Sequence, residues 1–247
     1  MNDTVKIDSL SYSYLNKEPL LDNMSIQLIP GQITAILGPS GVGKSTLLRI
    51  LMGIETGASG FIGFQNTKAS LMSWTLKQTL FSIVPQIPHL LPWKTVGQNI
   101  ELAMNPANPA LNRKKTLELL NTIQLQTHID SYPETLSLGQ AARVSFARAI
   151  ATNSHCILLD EPFAALDAVT RYLMQEWLVQ YVKLANVAAL LVTHDIQESL
   201  KTAQNIFVIN GKPAKIVFTH QQNHLQKNLS EGETKQNIEN KILEFLN

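Results

Sequence analysis

Short, strongly apolar runs recur along the chain, and longer stretches between them carry apolar positions every three to four residues. A short run bounded by polar or glycine-containing turns predicts a buried strand, whereas the longer period predicts a helix. Their alternation therefore predicts an α/β domain. "MSIQLIPGQITAILG" (24–38) reads as two strands joined at Pro30-Gly31, and "KSTLLRILMG" (44–53) as a helix stopped at Gly53. "LFSIVPQ" (80–86) and "HCILLD" (155–160) read as further strands. The second is continuously apolar, as expected of a strand covered on both faces. "VAALLVTHD" (187–195) is another, with a helix from about Ile196, and "NIFVINGKPAKIVF" (205–218) predicts a hairpin turning at Asn210-Gly211.

Between Ile87 and about Asn153 the texture changes. Prolines cluster at Pro88, Pro92, Pro106 and Pro109, and "NRKKTLELLNTIQL" (112–125) then has helical periodicity. This predicts a mainly helical subdomain over 87–153, inserted into an α/β core made of 1–86 and 154–219. Residues 220–247 form a polar tail whose end, "IENKILEFLN" (238–247), places Ile238, Ile242, Phe245 and Leu246 on one helical face. A terminal helix docked on the core is expected there, ahead of a partner-binding element. No internal repeat is visible.

Composition supports a globular chain and narrows its partners. The 247 residues are 45% apolar, enough for a full core. Twenty basic residues against 19 acidic ones give a net charge of +1, which offers no general attraction to nucleic acid. The N-terminus "MNDTVKIDSL" lacks a secretory apolar stretch, and no run approaches the roughly 18 apolar residues that cross a bilayer. Any membrane role is thus expected through a partner. The single cysteine, Cys156, sits in an apolar run and reads as a small buried side chain in a reducing compartment. His220 and His224 have a spacing a metal could use, but no further ligands accompany them.

The chemistry begins at "GPSGVGKST", Gly38 to Thr46, which matches G-x-x-x-x-G-K-[ST] between a strand and a helix. Gly38, Gly41 and Gly43 let successive N–H groups converge on phosphate oxygens, and the helix N-terminus adds partial positive charge. Lys44 can reach the β- and γ-phosphates, and the Ser45 hydroxyl can ligate Mg²⁺. In "CILLDEP", Asp160 ends a buried strand where open α/β sheets form their ligand crevice. An acid there can hold Mg²⁺ through its water shell, and Glu161 can polarise a water for attack on the γ-phosphate.

"LSLGQ" (136–140) lies between these motifs and runs into the helical "AARVSFARAI". In that order and spacing the chain resembles the ATP-binding subunit of an ABC transporter, from about Val5 to about Phe218. The resemblance implies an α/β phosphate-loop nucleotide-binding domain with a mixed sheet core and an inserted helical subdomain. It also implies an ATPase using ATP and Mg²⁺. ATP would be held by Tyr14, stacked on adenine, and by Gly38, Pro39, Ser40, Gly41, Val42, Gly43, Lys44, Ser45 and Thr46. Tyr12 is the alternative to Tyr14, in poorer register. Mg²⁺ would be held by Ser45, Gln86 and Asp160, and Glu161, His194 (in "VTHD") and Gln86 would serve hydrolysis. Two copies would pack head to tail, so that Ser137, Gly139, Gln140 and Asp167 (in "AALD") face the ATP of the partner subunit.

The family's usual pattern is LSGGQ, so Leu138 replaces its first glycine. A residue in the first helical turn needs no positive φ, and "LSLGQ" is therefore expected to grip ATP. Ala141 and Ala142 replace residues usually polar; they should keep the helix but alter a surface contact. "LLPWKTVGQNI" (90–100), together with "DEPFAALDAVTR", resembles the import ATPases for nitrate, sulfonate, taurine and thiamine-precursor pyrimidines. That segment implies contact with an integral membrane permease; the competing reading tucks Trp93 into the core. The implied function is a peripheral subunit on the cytoplasmic face of the cell membrane. It would power solute uptake, with a separate solute-binding protein acting through the permease. An exporter ATPase and a soluble, non-transport ABC ATPase are the alternatives.

Overall fold

The computed structural model describes residues 4–15, 17–65, 80–104, 106–222 and 235–246. Two sheets organise them. β1 (Val5–Ser13), β2 (Pro19–Leu28) and β4 (Ser59–Phe64) form an antiparallel sheet in the order β2-β1-β4. The larger sheet contains β3 (Ile33–Leu37), β5 (Phe81–Val84), β6 (Cys156–Asp160), β7 (Ala188–Thr193), β8 (Asn205–Asn210) and β9 (Lys215–Gln221). Its order is β5-β6-β7-β3-β8-β9, parallel except for the antiparallel β8–β9 hairpin. This is the mixed sheet expected. The two strands read from 24–38 belong to different sheets, with Pro30 and Gly31 carrying the chain between them.

β3 and β7 are buried at every position because both faces of the larger sheet are covered. One apolar cluster joins the antiparallel sheet to α1 (Lys44–Leu51) and the near face of the larger sheet. A second lies on the other face, under α4 (Leu138–Ala151), α5 (Ala168–Ala185) and α6 (Ile196–Thr202). Among the described residues, 87–153 contain helices and no strand, including α2 (Val96–Glu101) and α3 (Pro109–Thr122). A third cluster, with Val96, Ile100, Leu120, Ile123 and Val144, packs that segment on itself.

α7 (Lys235–Leu246) buries Ile238 and Ile242 in the second cluster, and Phe245 stacks on Phe218 at 5.2 Å. The end of the tail is thus a docked helix. Cys156 is fully buried, and burial pushes its thiol pKa well up, so it is an inert core residue. His220 lies in β9, whereas His224 lies outside the described residues.

Register places the chemistry. Leu37 pairs with Thr193, and Asp160 with Val192, so β3, β6 and β7 end side by side. Their next residues are Gly38, Glu161 and His194, and Gln86 follows shortly after β5. Four chain segments far apart in sequence therefore meet at one sheet edge.

Candidate nucleotide site

The turn between β3 and α1 excludes side chains at two glycines for different reasons. A Cβ on Gly38 would stand 2.7 Å from the Ile209 carbonyl oxygen, so the loop could not approach β8. Gly43 has φ +114°, a left-handed backbone that other residues resist. Gly43 is also the N-cap of α1 and supplies no side-chain cap, so the helix N–H groups keep their capacity for an anion. Lys44, 7% exposed, donates from Nζ to the carbonyls of Gly38 at 2.6 Å and Pro39 at 3.0 Å. Burial lowers its pKa, and the charges of Glu161 and Asp160 pull it back up.

A cleft of about 580 Å³ opens over this loop, lined by Ser40, Gly41, Gly43, Lys44, Ser45 and Thr46. Tyr14, Gln86, Glu161 and His194 reach the same cleft. Val42 instead packs into the first core cluster. Tyr14 meets Thr46 Oγ1 at 3.3 Å through its hydroxyl, while Tyr12 is buried and donates to Glu55 Oε2 at 3.0 Å. The two rings meet edge to face with centroids 5.1 Å apart, so Tyr12 supports the ring that lines the cleft.

Glu161 leaves β6 with φ +46°, a conformation costing about 1–3 kcal/mol in a residue with a side chain. Its N–H still donates to Val192 O at 2.9 Å, which anchors the turn. Its carboxylate is shared: Oε1 lies 3.2 Å from His194 Nδ1, and Oε2 accepts from Gln86 Nε2 at 3.2 Å. Beside it, Ser45 Oγ donates to Asp160 Oδ1 at 3.3 Å. Burial raises the Asp160 pKa against that hydrogen bond, so a carboxylate there calls for a compensating cation.

Ser137, Gly139, Gln140 and Asp167 do not line the cleft of their own chain. Ser137 is the N-cap of α4: its Oγ accepts from Gln140 N at 3.2 Å, and Gln140 Oε1 accepts from Ser137 N at 2.8 Å. This reciprocal capping box fixes the helix start. Leu138 is the first residue of α4, 56% exposed and without positive φ. Leu138→Gly is therefore expected to leave ATP hydrolysis within a few-fold, measured as steady-state phosphate release; a large gain would show that Leu138 degrades the motif. Ala142 is buried in the second core cluster. It therefore packs inward, and only the half-buried Ala141 bears on a surface contact. Asp167 is the N-cap of α5, accepting from Val169 N and Thr170 N.

Sequence pattern did not single out Glu198, an acid in the first turn of α6 that would ordinarily face water. It is 7% exposed and accepts a very short hydrogen bond from Thr193 Oγ1, beside His194. Burial pushes its pKa from 4.5 to about 7. The folded state thus keeps a proton that the unfolded chain has lost, and stability falls as pH rises from 4.5 to about 7. That shift is worth about 3 kcal/mol. Glu198→Gln should accordingly gain stability over the unmodified chain at pH 8 and none at pH 4, as read by urea unfolding. An equal effect at both pH values would contradict the buried, proton-holding carboxyl.

The chain is similar to known proteins throughout this region. Residues 21–164 match the family model described as "ABC transporter". A probable sulfate/thiosulfate import ATP-binding protein of Chlorella vulgaris is 40% identical, over 79% of this chain and 84% of that one. The aliphatic sulfonates import ATP-binding protein of Bacillus subtilis is 36% identical, over 81% of this chain and 76% of that one. Among solved structures, an ATP-binding cassette captured as a dimer after hydrolysis, with ADP and Pi, is 28% identical. It superposes with a TM-score of 0.74, covering 88% of this chain and 98% of that one. A subunit of a Clostridium perfringens ABC transporter complex gives a TM-score of 0.78 at 27% identity, covering 90% of this chain and 89% of that one. A phosphate loop, a carboxylate and a histidine thus share one cleft in a chain matched across that region, and this chain belongs to the ABC transporter family as an ATP-binding ATPase.

Proposed function

We propose that this chain powers uptake of a small solute of the nitrate, sulfonate or taurine type through a separate membrane permease. The observation that carries the reading is Trp93, which stands 70% exposed in the loop that follows Gln86, the glutamine that reaches the nucleotide cleft. It is not tucked into the core. Its loop is nonetheless rigidly built. The fully buried Asn99 accepts from Leu91 N at 2.8 Å and donates to the carbonyls of Leu91, Lys94 and Thr95. Arg148 donates to the carbonyls of Pro88 and His89 at 2.9 Å. Holding an exposed indole on a fixed loop favours docking to a partner.

At the site, Lys44 and the α1 N–H groups would receive the β- and γ-phosphates, and Tyr14 the adenine face. Ser45, Asp160 and the Gln86 carbonyl offer the hard oxygen donors that Mg²⁺ demands, and the burial cost at Asp160 fits a cation there. Mg²⁺ bound there would supply neutralisation of developing phosphate charge. Glu161, steadied by Gln86 and His194, would take the proton of the attacking water. Ser137, Gly139, Gln140 and Asp167, outside their own cleft, would complete the site of a second copy. ATP binding would close the two copies, closure would rearrange the permease, and hydrolysis would reopen them.

No helix among the described residues is long and apolar enough to cross a membrane, which fits a peripheral subunit on the cytoplasmic face. A solute-binding protein would act through the permease. The test is to express the tagged chain in its native host, extract with mild detergent and identify what co-purifies. A polytopic permease supports the reading. Reproducible recovery of ribosomes, nucleic acid or soluble proteins alone overturns it while leaving the ATPase intact.

A further inference from the structure

His194 and Asp167 stand at opposite ends of a buried polar network that the hydrolytic scheme does not use. On one side, Thr193 Oγ1 accepts from Asp195 N at 3.0 Å and donates to Glu198. Asp195 Oδ1 in turn accepts from Glu198 N at 3.1 Å. The turn carrying His194 is thus closed onto the Glu198 side chain. On the other side, Arg171 of α5 donates from Nη2 to Leu166 O at 3.0 Å, and from its backbone N to Asp167 O at 2.8 Å. That holds the loop ending in Asp167.

α5 packs against α6, which brings the two halves together. Glu198 Oε1 and Arg171 Nε are both buried and neither has a hydrogen-bond partner. Burial, and then the Asp195 charge, favour the protonated form of Glu198, against the Thr193 hydrogen bond and the charges of Arg171 and His194. A buried carboxyl oxygen and a buried guanidinium N–H are each costly while they lack a partner. Leaving both unsatisfied on two helices packed together is a cost that a linking role accounts for.

We propose that Glu198 and Arg171 act as a positioning pair, tying the His194 turn to the Asp167 loop so that each hydrolytic histidine responds to the loop facing the second copy. The inference rests on the roles proposed above for His194 and Asp167. The competing account gives each residue a separate packing role, with no energetic traffic between them.

A double-mutant cycle separates the two. The purified full chain would be compared with Glu198→Gln, Arg171→Gln and the double variant, measuring ATP turnover and KM. Each single change should lower kcat about tenfold with KM within about twofold, and the double should be no worse than the worse single. Arg171→Lys, which keeps the charge, should recover most of the loss. Effects that multiply to about a hundredfold, or wild-type kcat in Glu198→Gln, overturn the pair. Should the Glu198 variants fail to fold, Arg171 decides alone: rescue by Lys supports the link, and equal losses with Gln and Lys overturn it. Glu161→Gln is run alongside. If it still turns over, the hydrolytic assignment itself has failed; if it stops while the cycle is additive, only the pair has.

Discussion

Replacing Glu161 by Gln is expected to lower ATP turnover by roughly 10²–10⁴-fold, the share a positioned general base supplies, while ATP still binds. The change is nearly isosteric. The amide keeps an oxygen for Gln86 Nε2, now 3.2 Å from the carboxylate, and the left-handed turn at residue 161 is untouched. What disappears is the capacity to take a proton from the attacking water. The variant should therefore accumulate as an ATP-loaded pair of copies, seen as a dimer by size exclusion with ATP and a monomer without it. Phosphate release at the wild-type rate would remove Glu161 from the hydrolytic role. Loss of ATP binding together with turnover would mean that its carboxylate instead holds the phosphate loop in shape.

The parts of this site legible in sequence are those where chemistry and backbone demand the same residues. The phosphate loop is one, because Gly38 and Gly43 answer to close approach and left-handed geometry while Lys44 closes the turn through the Gly38 and Pro39 carbonyls. The buried strands β3, β6 and β7 are another, since a short, continuously apolar run between turns is the pattern of a strand covered on both faces. Of the antiparallel sheet only the second half of β2 was legible, and β1 was missed for a specific reason. β1 changes register between Ile7 and Leu10 around Ser9, whose φ is +52°, and both apolar residues are buried. That irregularity breaks the period of two by which a half-buried strand is recognised. Asn23 has the same backbone and interrupts β2 similarly.

α5 was missed for the opposite reason. Val169, Tyr172 and Leu173 are apolar yet exposed, while Met174, Leu178 and Val182 are buried, so its apolar positions encircle the helix and give no clear stripe. Polar anchors are the hardest to read. Asn99 resembles any solvent-facing amide in sequence, and only its four hydrogen bonds to the 91–95 backbone reveal a structural role. Glu198 is similar, an acid at a helix start whose burial comes from α5 packing over it. A side chain's partners distant in sequence leave no local pattern.

Those anchors sharpen the second large prediction, which concerns Trp93. Trp93→Ala should reduce permease recovered with the tagged chain by about thirtyfold or more, the loss of a central aromatic anchor worth about 2 kcal/mol. The indole contributes little to the fold of its own chain. It is 70% exposed, so its removal leaves no cavity and should change the stability of the isolated chain by no more than about 0.5 kcal/mol. Its loop is held independently by Asn99 and Arg148 and should keep its shape. Asn99→Ala provides the contrast. It leaves the loop's backbone groups without their buried partner, so binding and thermal stability should fall together. If Trp93→Ala recovers as much permease as the unmodified chain, the proposed permease contact does not rest on this indole. A large loss with an unchanged melting temperature would place the contact on the indole itself.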